Sequence, residues 1–172
     1  MQYLLAGFGG QGVLFAGKFL ACKGLIEEKQ VSWMPSYGPE MRGGTANCSV
    51  IISSEPIGSP IVSTPDVLVA LNLPALDKFE KTVKKGGTIF VDSSLVAREV
   101  ERKDVTVVYI PTTRLASDNE MPDLGNIIMM GKVLSDADMS LIEKALAQSV
   151  SSNRQDMVDL NLKAFLIGKN YK

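Results

Sequence analysis

The chain has 172 residues, of which 45% are hydrophobic and 22% charged, and a formal net charge of −1. That length suits one domain, residues 1–172, able to bury about 70% of its unfolded surface. So small a charge gives no electrostatic reason to bind nucleic acid or an acidic membrane. No apolar run approaches the ~20 residues of a spanning helix and no basic segment leads a secretory signal, so the expected compartment is the cytoplasm.

The first element reads as a strand that begins near Tyr3 and runs into Gly7-Phe-Gly-Gly-Gln-Gly12, where Gly7, Gly9 and Gly12 have the G-x-G-x-x-G spacing. Such a turn lets the backbone approach a phosphate, whose charge the first N–H groups of the next helix can hold; the other reading is close packing of helix on strand. Val13 to Ile26 reads as that helix, with Phe15, Phe19 and Leu20 on its apolar face. Val31 to Met34 is a short strand stopped by Pro35. The Gly- and Pro-rich loop Ser36 to Gly44 then presents Tyr37, Glu40 and Arg42, a set suited either to recognising an anion or a partner or to forming a structural corner. Thr45 to Ser53 alternates as a strand, with Cys48, Val50 and Ile52 on one face.

Glu55 to Pro65 is a turn-rich connection. Val67 to Leu71 is a continuous apolar strand, as expected for one covered on both faces. Pro74 opens a helix that carries Leu76, Phe79 and Val83 inward and ends at Gly86-Gly87, and Asn72 is placed to cap it. Thr88 to Val91 and Val105 to Ile110 are further strands, with Asp92-Ser93-Ser94 reading as a helix cap. From Thr112 the pattern is helical: Asp123 to Leu134 is apolar on most sides, a core or interface helix. Ser135 or Asp136 then caps a helix bearing Met139, Ile142, Leu146 and Val150, and a last helix spans about Asp156 to Ile167. Strands alternating with helices predict an α/β fold, Rossmann-like and three-layered, with a mostly parallel sheet and C-terminal helices. Ligands would sit at the carboxyl ends of its strands.

Several chemistries are excluded. Cys22 and Cys48 form no C-x-x-C pair and there is no histidine, so neither a zinc site nor an iron–sulfur cluster, which needs about four thiolates, can be held by this chain alone. A NAD-type site calls for a carboxylate about 20 residues past the glycines, at the end of the second strand; Met34-Pro35 stands there instead. Gly12 to Lys18 fits G-x-x-x-x-G-K, but Phe19 replaces the Ser or Thr that would bind magnesium. Lys18 is then a solvated helix residue or a basic group near the glycines.

Taken together, Gly7-Phe-Gly-Gly-Gln-Gly12, Ser36-Tyr-Gly-Pro-Glu-Met-Arg-Gly-Gly44, Ile57-Gly-Ser-Pro60 and Pro65-Asp-Val-Leu-Val-Ala-Leu71 resemble the gamma subunit, or gamma domain, of the 2-oxoacid:ferredoxin oxidoreductases. The resemblance implies a subunit that is not catalytic alone, in a complex that oxidatively decarboxylates a 2-oxoacid and delivers the acyl group to coenzyme A. Thiamine diphosphate, Mg and the iron–sulfur clusters would belong to alpha, beta and delta chains, with ferredoxin as electron acceptor. Carried onto this sequence, it places coenzyme A phosphate at Gly7, Gly9, Gly10, Gln11 and Gly12 with help from Arg42, and a subunit contact at Tyr37 and Glu40. The sequence looks most like the 2-oxoglutarate enzymes. Branched-chain, pyruvate and indolepyruvate enzymes, or a scaffold subunit with no ligand site, are the alternatives.

Overall fold

The computed structural model describes residues 1–36 and 45–172. Six strands make one sheet in the order β2-β3-β1-β4-β5-β6. They are β1 (Gln2–Phe8), β2 (Gln30–Ser36), β3 (Thr45–Ser53), β4 (Val67–Ala70), β5 (Thr88–Asp92) and β6 (Thr106–Ile110). The helices are α1 (Val13–Ile26), α2 (Leu73–Phe79), α3 (Thr112–Asp118), α4 (Gly125–Val133), α5 (Met139–Ser149) and α6 (Asp156–Asn170). β1, β4, β5 and β6 run parallel, whereas β3 is antiparallel to both β1 and β2. The sheet is therefore mixed, mostly parallel, with an antiparallel end.

The register decides which residues meet which layer. Leu5 stands opposite Cys48 on β3 and Val69 on β4, and these point to one face with α1, α4 and α6 over them. Leu4, Ala6, Leu68, Ala70, Ile89 and Val91 point to the other, where α2 supplies Ala75 and Leu76. β4 is buried at every residue, as its continuous apolar run requires. On the first face, burial pushes the Cys48 thiol up to about 12, against a smaller opposing pull from Trp33. Its Sγ lies 3.5 Å from the Val13 carbonyl it donates to.

Several expectations need correcting. β2 does not stop at Pro35 but continues to Ser36. It is an edge strand, where a missing N–H costs the ladder little. The second helix turns into a 3₁₀ turn over Glu80–Thr82, and Val83 is buried beyond it. Asp138, not Ser135 or Asp136, caps α5, accepting from the Ser140 N–H at 2.8 Å. The segment from Asp123 to Leu134 begins as a 3₁₀ turn and becomes α4, whose Ile127, Ile128, Met129 and Met130 are wholly buried, so it is a core helix.

α4 packs on α6 through glycine. A Cβ on Gly168 would run into the Ile128 carbonyl, and one on Gly131 into that of Phe165. Backbone lies on backbone here, and Phe165 meets Phe19 of α1 edge-on with ring centroids 6.0 Å apart. Lysines close the helix ends nearby. Lys18 donates to the Ser149 carbonyl at 2.9 Å, Lys132 to Tyr171 at 2.7 Å, and Lys169 to Ser135 and Ala137. Lys18 and Lys132 stand at helix carboxyl ends, where the dipole is negative, and Lys169 bridges the link from α4 to α5. Lys18 is thus tied to the end of α5 rather than merely solvated.

On the opposite face the buried Glu80 carboxylate accepts from Arg98 at 2.8 Å and from the Glu101 and Arg102 N–H groups at 2.5 and 3.0 Å. Burial raises its pKa, and Arg98 with the two backbone donors outweighs that, leaving it below the ordinary glutamate value. This carboxylate organises the irregular segment before β6.

Candidate functional site at the glycine turn

The carboxyl ends of β1, β4 and β5 converge on the turn between β1 and α1. Gly7 closes β1 in a tight place: a Cβ there would lie 2.7 Å from Gln11 Oε1 and 3.1 Å from Leu71 Cβ. Gly7 therefore serves packing of the turn against β4. Gly9 and Gly10 are exposed. Gly10 has φ of 98° and, among the described residues, no atom within 4 Å of where a Cβ would be, so it needs glycine for its backbone. Gly12 has φ of 69°, and a Cβ on it would collide with the Asn126 amide.

Gln11 is turned inward. Its Oε1 accepts from the Phe8 N–H at 2.6 Å and from Asn72 Nδ2 at 3.0 Å, and its Nε2 donates to the Leu71 carbonyl at 3.1 Å. The side chain thus fastens the turn to β4 instead of reaching outward; what this residue offers a ligand is backbone shape. Asn72 also caps α2, as expected, accepting from the Ala75 N–H at 2.9 Å. Asp92 accepts from the Ser94 N–H at 2.9 Å and from the Thr113 N–H and hydroxyl at 3.1 and 2.5 Å, and Ser94 Oγ accepts from Arg114 N–H. The Asp92-Ser93-Ser94 cluster therefore holds the start of α3.

The start of α1 differs from these secured helix ends. Among the described residues no side chain caps it, and its first turn holds no acidic residue. The Gln11 N–H is bonded to the Phe8 carbonyl at 3.2 Å. Among the described residues, no acceptor is paired with the N–H groups of Gly9, Gly10 or Gly12. A 14-residue helix with an open amino end offers partial positive charge and N–H groups to an anion.

Two cavities flank the turn. The inner one, about 140 Å³, lies over the sheet ends and is lined by Gly10, Gln11, Asp92, Thr112, Asp123 and Asn126. Its described lining contains two carboxylates and no cationic side chain. The outer one, about 360 Å³, lies between α1, the end of α5 and α6, and its walls include Phe15, Lys18, Asn126, Arg154, Met157 and Asn161. Asn126, whose Nδ2 donates to the Gly12 carbonyl at 2.9 Å, stands between the two. Positive charge near the turn is therefore on the outer side.

Of the expected site residues, Tyr37, Glu40 and Arg42 lie outside the described residues. Gly9, Gly10 and Gly12 are together at the open turn, whereas Gly7 and the Gln11 side chain form its base. Sequence reading passed over Asn126, Arg154 and Asn161. The one trace of Asn126 is a single amide in an otherwise apolar helical run; Arg154 sits in a short 3₁₀ turn before α6 and Asn161 within α6, where spacing gives no signal of a site. Among the described residues no group of three or more His, Cys, Asp or Glu is arranged to hold a metal ion, and no helix is long and apolar enough to cross a membrane.

The fold and the turn define an α/β protein with a mostly parallel sheet and an open helix end at the carboxyl edge of that sheet. Residues 2–171 match the model of the pyruvate ferredoxin/flavodoxin oxidoreductase family, and the chain belongs to that family. It is 39% identical to the 2-oxoglutarate synthase subunit KorC of Methanocaldococcus jannaschii, over 95% of this chain and 89% of that one. It is 37% identical to the ketoisovalerate oxidoreductase subunit VorA of Methanothermobacter marburgensis over 97% of its own length, but spans only 35% of that protein. Among solved structures, the gamma subunit of a keto/oxoacid ferredoxin oxidoreductase from Geobacter sulfurreducens superposes with a TM-score of 0.82 at 30% identity, covering 97% of this chain and 95% of that one. The 2-oxoglutarate:ferredoxin oxidoreductase of Magnetococcus marinus, solved with 2-oxoglutarate, coenzyme A and succinyl-CoA, shares the fold with a TM-score of 0.86 at 23% identity. The match covers 98% of this chain and 30% of that one. In length and fold the chain corresponds to a gamma subunit of these oxidoreductases.

Proposed function

We propose that this chain works as the gamma subunit of a cytoplasmic 2-oxoacid:ferredoxin oxidoreductase, 2-oxoglutarate being the favoured substrate, and that its glycine turn contacts the diphosphate of coenzyme A. The observation that carries the ligand reading is the uncapped start of α1 beside the exposed Gly9 and Gly10, whose N–H groups have no acceptor among the described residues. The fit is one of donor chemistry: several backbone N–H groups and a helix dipole stand where a Cβ at Gly10 would meet no described residue. The substrate preference is supported by the likeness to 2-oxoglutarate synthase subunits.

In this reading, Gly9, Gly10 and Gly12 present N–H groups to phosphate oxygens, while Gln11 holds the turn's curvature from below through Phe8, Leu71 and Asn72. Lys18 and Arg154, in the walls of the outer cavity, bias the local potential toward an anion. Arg42 adds a further positive charge, and Tyr37 and Glu40 meet a neighbouring subunit. Coenzyme A, when bound, supplies the thiol that accepts the acyl group; this chain binds and orients it and contributes no proton or electron transfer. Thiamine diphosphate, Mg and the iron–sulfur clusters are assigned to alpha, beta and delta subunits, with ferredoxin receiving the electrons.

The test is Gly10→Asp in the assembled complex, which places a carboxylate at the phosphate position. A rise of about tenfold in the coenzyme A Michaelis constant, with kcat little changed, is expected for losing a charge-assisted contact. An unchanged constant would leave the turn a structural element only. The purified chain alone is expected to show no 2-oxoacid-dependent dye reduction.

A further inference from the structure

β2 has a neighbouring strand on one side only, β3, and runs for 7 residues with an unbroken register and no ionisable side chain. Edge strands are ordinarily blunted by charges, bulges or a covering segment, because their unpaired backbone groups recruit other strands. The bonds of β3 show which groups of β2 are unpaired. The Met1 nitrogen donates to the Ile52 carbonyl at 2.9 Å, and the Ile52 N–H to the Met1 carbonyl at 3.0 Å. Ile52, Val50 and Cys48 therefore turn their backbone groups toward β1, and the alternate residues Ser53, Ile51 and Ser49 turn theirs toward β2. Gln30, Ser32 and Met34, which stand opposite those three, are bonded inward. Val31, Trp33 and Pro35 face the free edge, the one side of a strand where a missing N–H is harmless. Among the described residues, the N–H and C=O groups of Val31 and Trp33 have no partner.

A second copy of the same strand matches those groups. Turned antiparallel about a two-fold axis at Ser32, β2 sets Val31 opposite the partner's Trp33, and Trp33 opposite the partner's Val31. Each pair exchanges both of its hydrogen bonds, so every unpaired group of the two residues is used in both copies. The ladder then stops at each end for reasons already present in the chain. Pro35 has no N–H to give, and Lys29, which would face it, has its N–H taken by the Gly24 carbonyl at 3.0 Å. The adjacent two-fold registers do worse: one sets Pro35 against Val31 and leaves a carbonyl without a donor, the other sets Lys29 against Trp33. Since Gln30–Ser36 holds no charge, no like charges meet. The Trp33 side chain, in a residue 40% exposed, gains the branched Val31 as its cross-strand neighbour, a favourable antiparallel pair.

We propose that β2 pairs with β2 of a second copy of this chain in that register, joining the two six-stranded sheets into one across a two-fold axis. The assembled complex then carries this chain in pairs. The pairing goes beyond the coenzyme A reading and does not depend on it, because the glycine turn supplies none of the groups involved.

Ser32 stands on the axis in a non-hydrogen-bonded pair, where facing Cα atoms are about 4.5 Å apart, within the reach of a disulfide. Under mild oxidation the full-length Ser32→Cys chain is expected to reach twice its mass on a non-reducing gel about tenfold faster than Gln30→Cys, whose two copies would stand about 14 Å apart. Cys22 and Cys48 are present in both variants, so the unsubstituted chain sets the background. Equal rates for the two variants, or no dimer from Ser32→Cys, would overturn the proposal. So would a link from Ser32→Cys to a different subunit in the assembled complex. Light scattering gives a reading without an added thiol: the unsubstituted chain is expected at the mass of two copies, and Val31→Pro, which removes an outward N–H and no bond to β3, at the mass of one. A monomer without substitution, or a dimer that a folded Val31→Pro chain keeps, would also overturn it. None of these results moves the coenzyme A Michaelis constant of Gly10→Asp, so the two readings fail separately.

Discussion

Two glycine-dependent regions of this molecule do opposite things. At the contact of α4 with α6, Gly131 and Gly168 are buried, and each presses against a carbonyl of the facing helix. At the turn after β1, Gly10 is exposed, holds a positive φ and, among the described residues, has nothing within 4 Å of its missing side chain. In the first region the absent Cβ is filled by protein; in the second it is left open. The comparison separates packing from reception, and it also divides the turn internally, since Gly7 belongs with the packing glycines.

Substituting alanine for glycine in both regions breaks the comparison most directly. Gly168→Ala should be the most damaging change, because α6 must move away from Ile128 along a contact with no flexible side chain to yield. Overpacking of this kind costs about 3 kcal/mol, which for a chain of this size lowers Tm by about 10 °C in thermal denaturation. A Tm within a degree or two of wild type would show that α4 and α6 separate easily and that backbone contact is not what holds them.

Next in size is Glu80→Ala, which strips a buried carboxylate from Arg98 and from two backbone donors. Removing one partner of such a buried pair costs about 3 kcal/mol, and the partial exposure of Arg98 puts the expected loss nearer 2 kcal/mol. The sign of the pH effect follows from the depressed folded pKa. The stabilisation is complete above the ordinary glutamate value, near 4.3, and drains as pH falls through the lower folded value. Chemical denaturation at neutral pH and at acid pH should show the gap between wild type and Glu80→Ala narrowing with acid. A constant gap would mean that the carboxylate titrates normally.

Much of the fold was readable because periodicity and caps agreed with tertiary need. β3 has the expected limits, Asn72 caps α2, and the Asp92 cluster caps α3. What escaped has physical reasons. Pro35 marks a strand end only if the strand is internal, and edge position is a tertiary fact. Asp138 caps α5 in preference to Ser135 and Asp136 because helix entry depends on where the chain leaves α4, which Lys169 fixes from another helix. At the turn, glycine spacing indicated a sharp bend. It did not distinguish Gly7, closed by Leu71 and Gln11, from Gly10, open to solvent. Nor could it show that Gln11 faces inward, since two of its three partners are 60 and 61 residues away.

The smallest stability effect sharpens the comparison at the turn itself. Gly10→Ala meets no atom of the described residues and is expected to lose the ease of a positive φ, about 1 kcal/mol, or a fall of about 3 °C in Tm. Gly10→Asp carries the same backbone penalty, so the difference between the two variants isolates what a negative charge does at that spot. If the open N–H groups receive an anion, the coenzyme A Michaelis constant of the assembled complex should change little for alanine and rise about tenfold for aspartate, with the gap shrinking as salt is raised. Should both variants raise it equally, backbone shape alone matters. Should neither do so, Gly10 belongs with Gly131 and Gly168 as a glycine whose reason is structural.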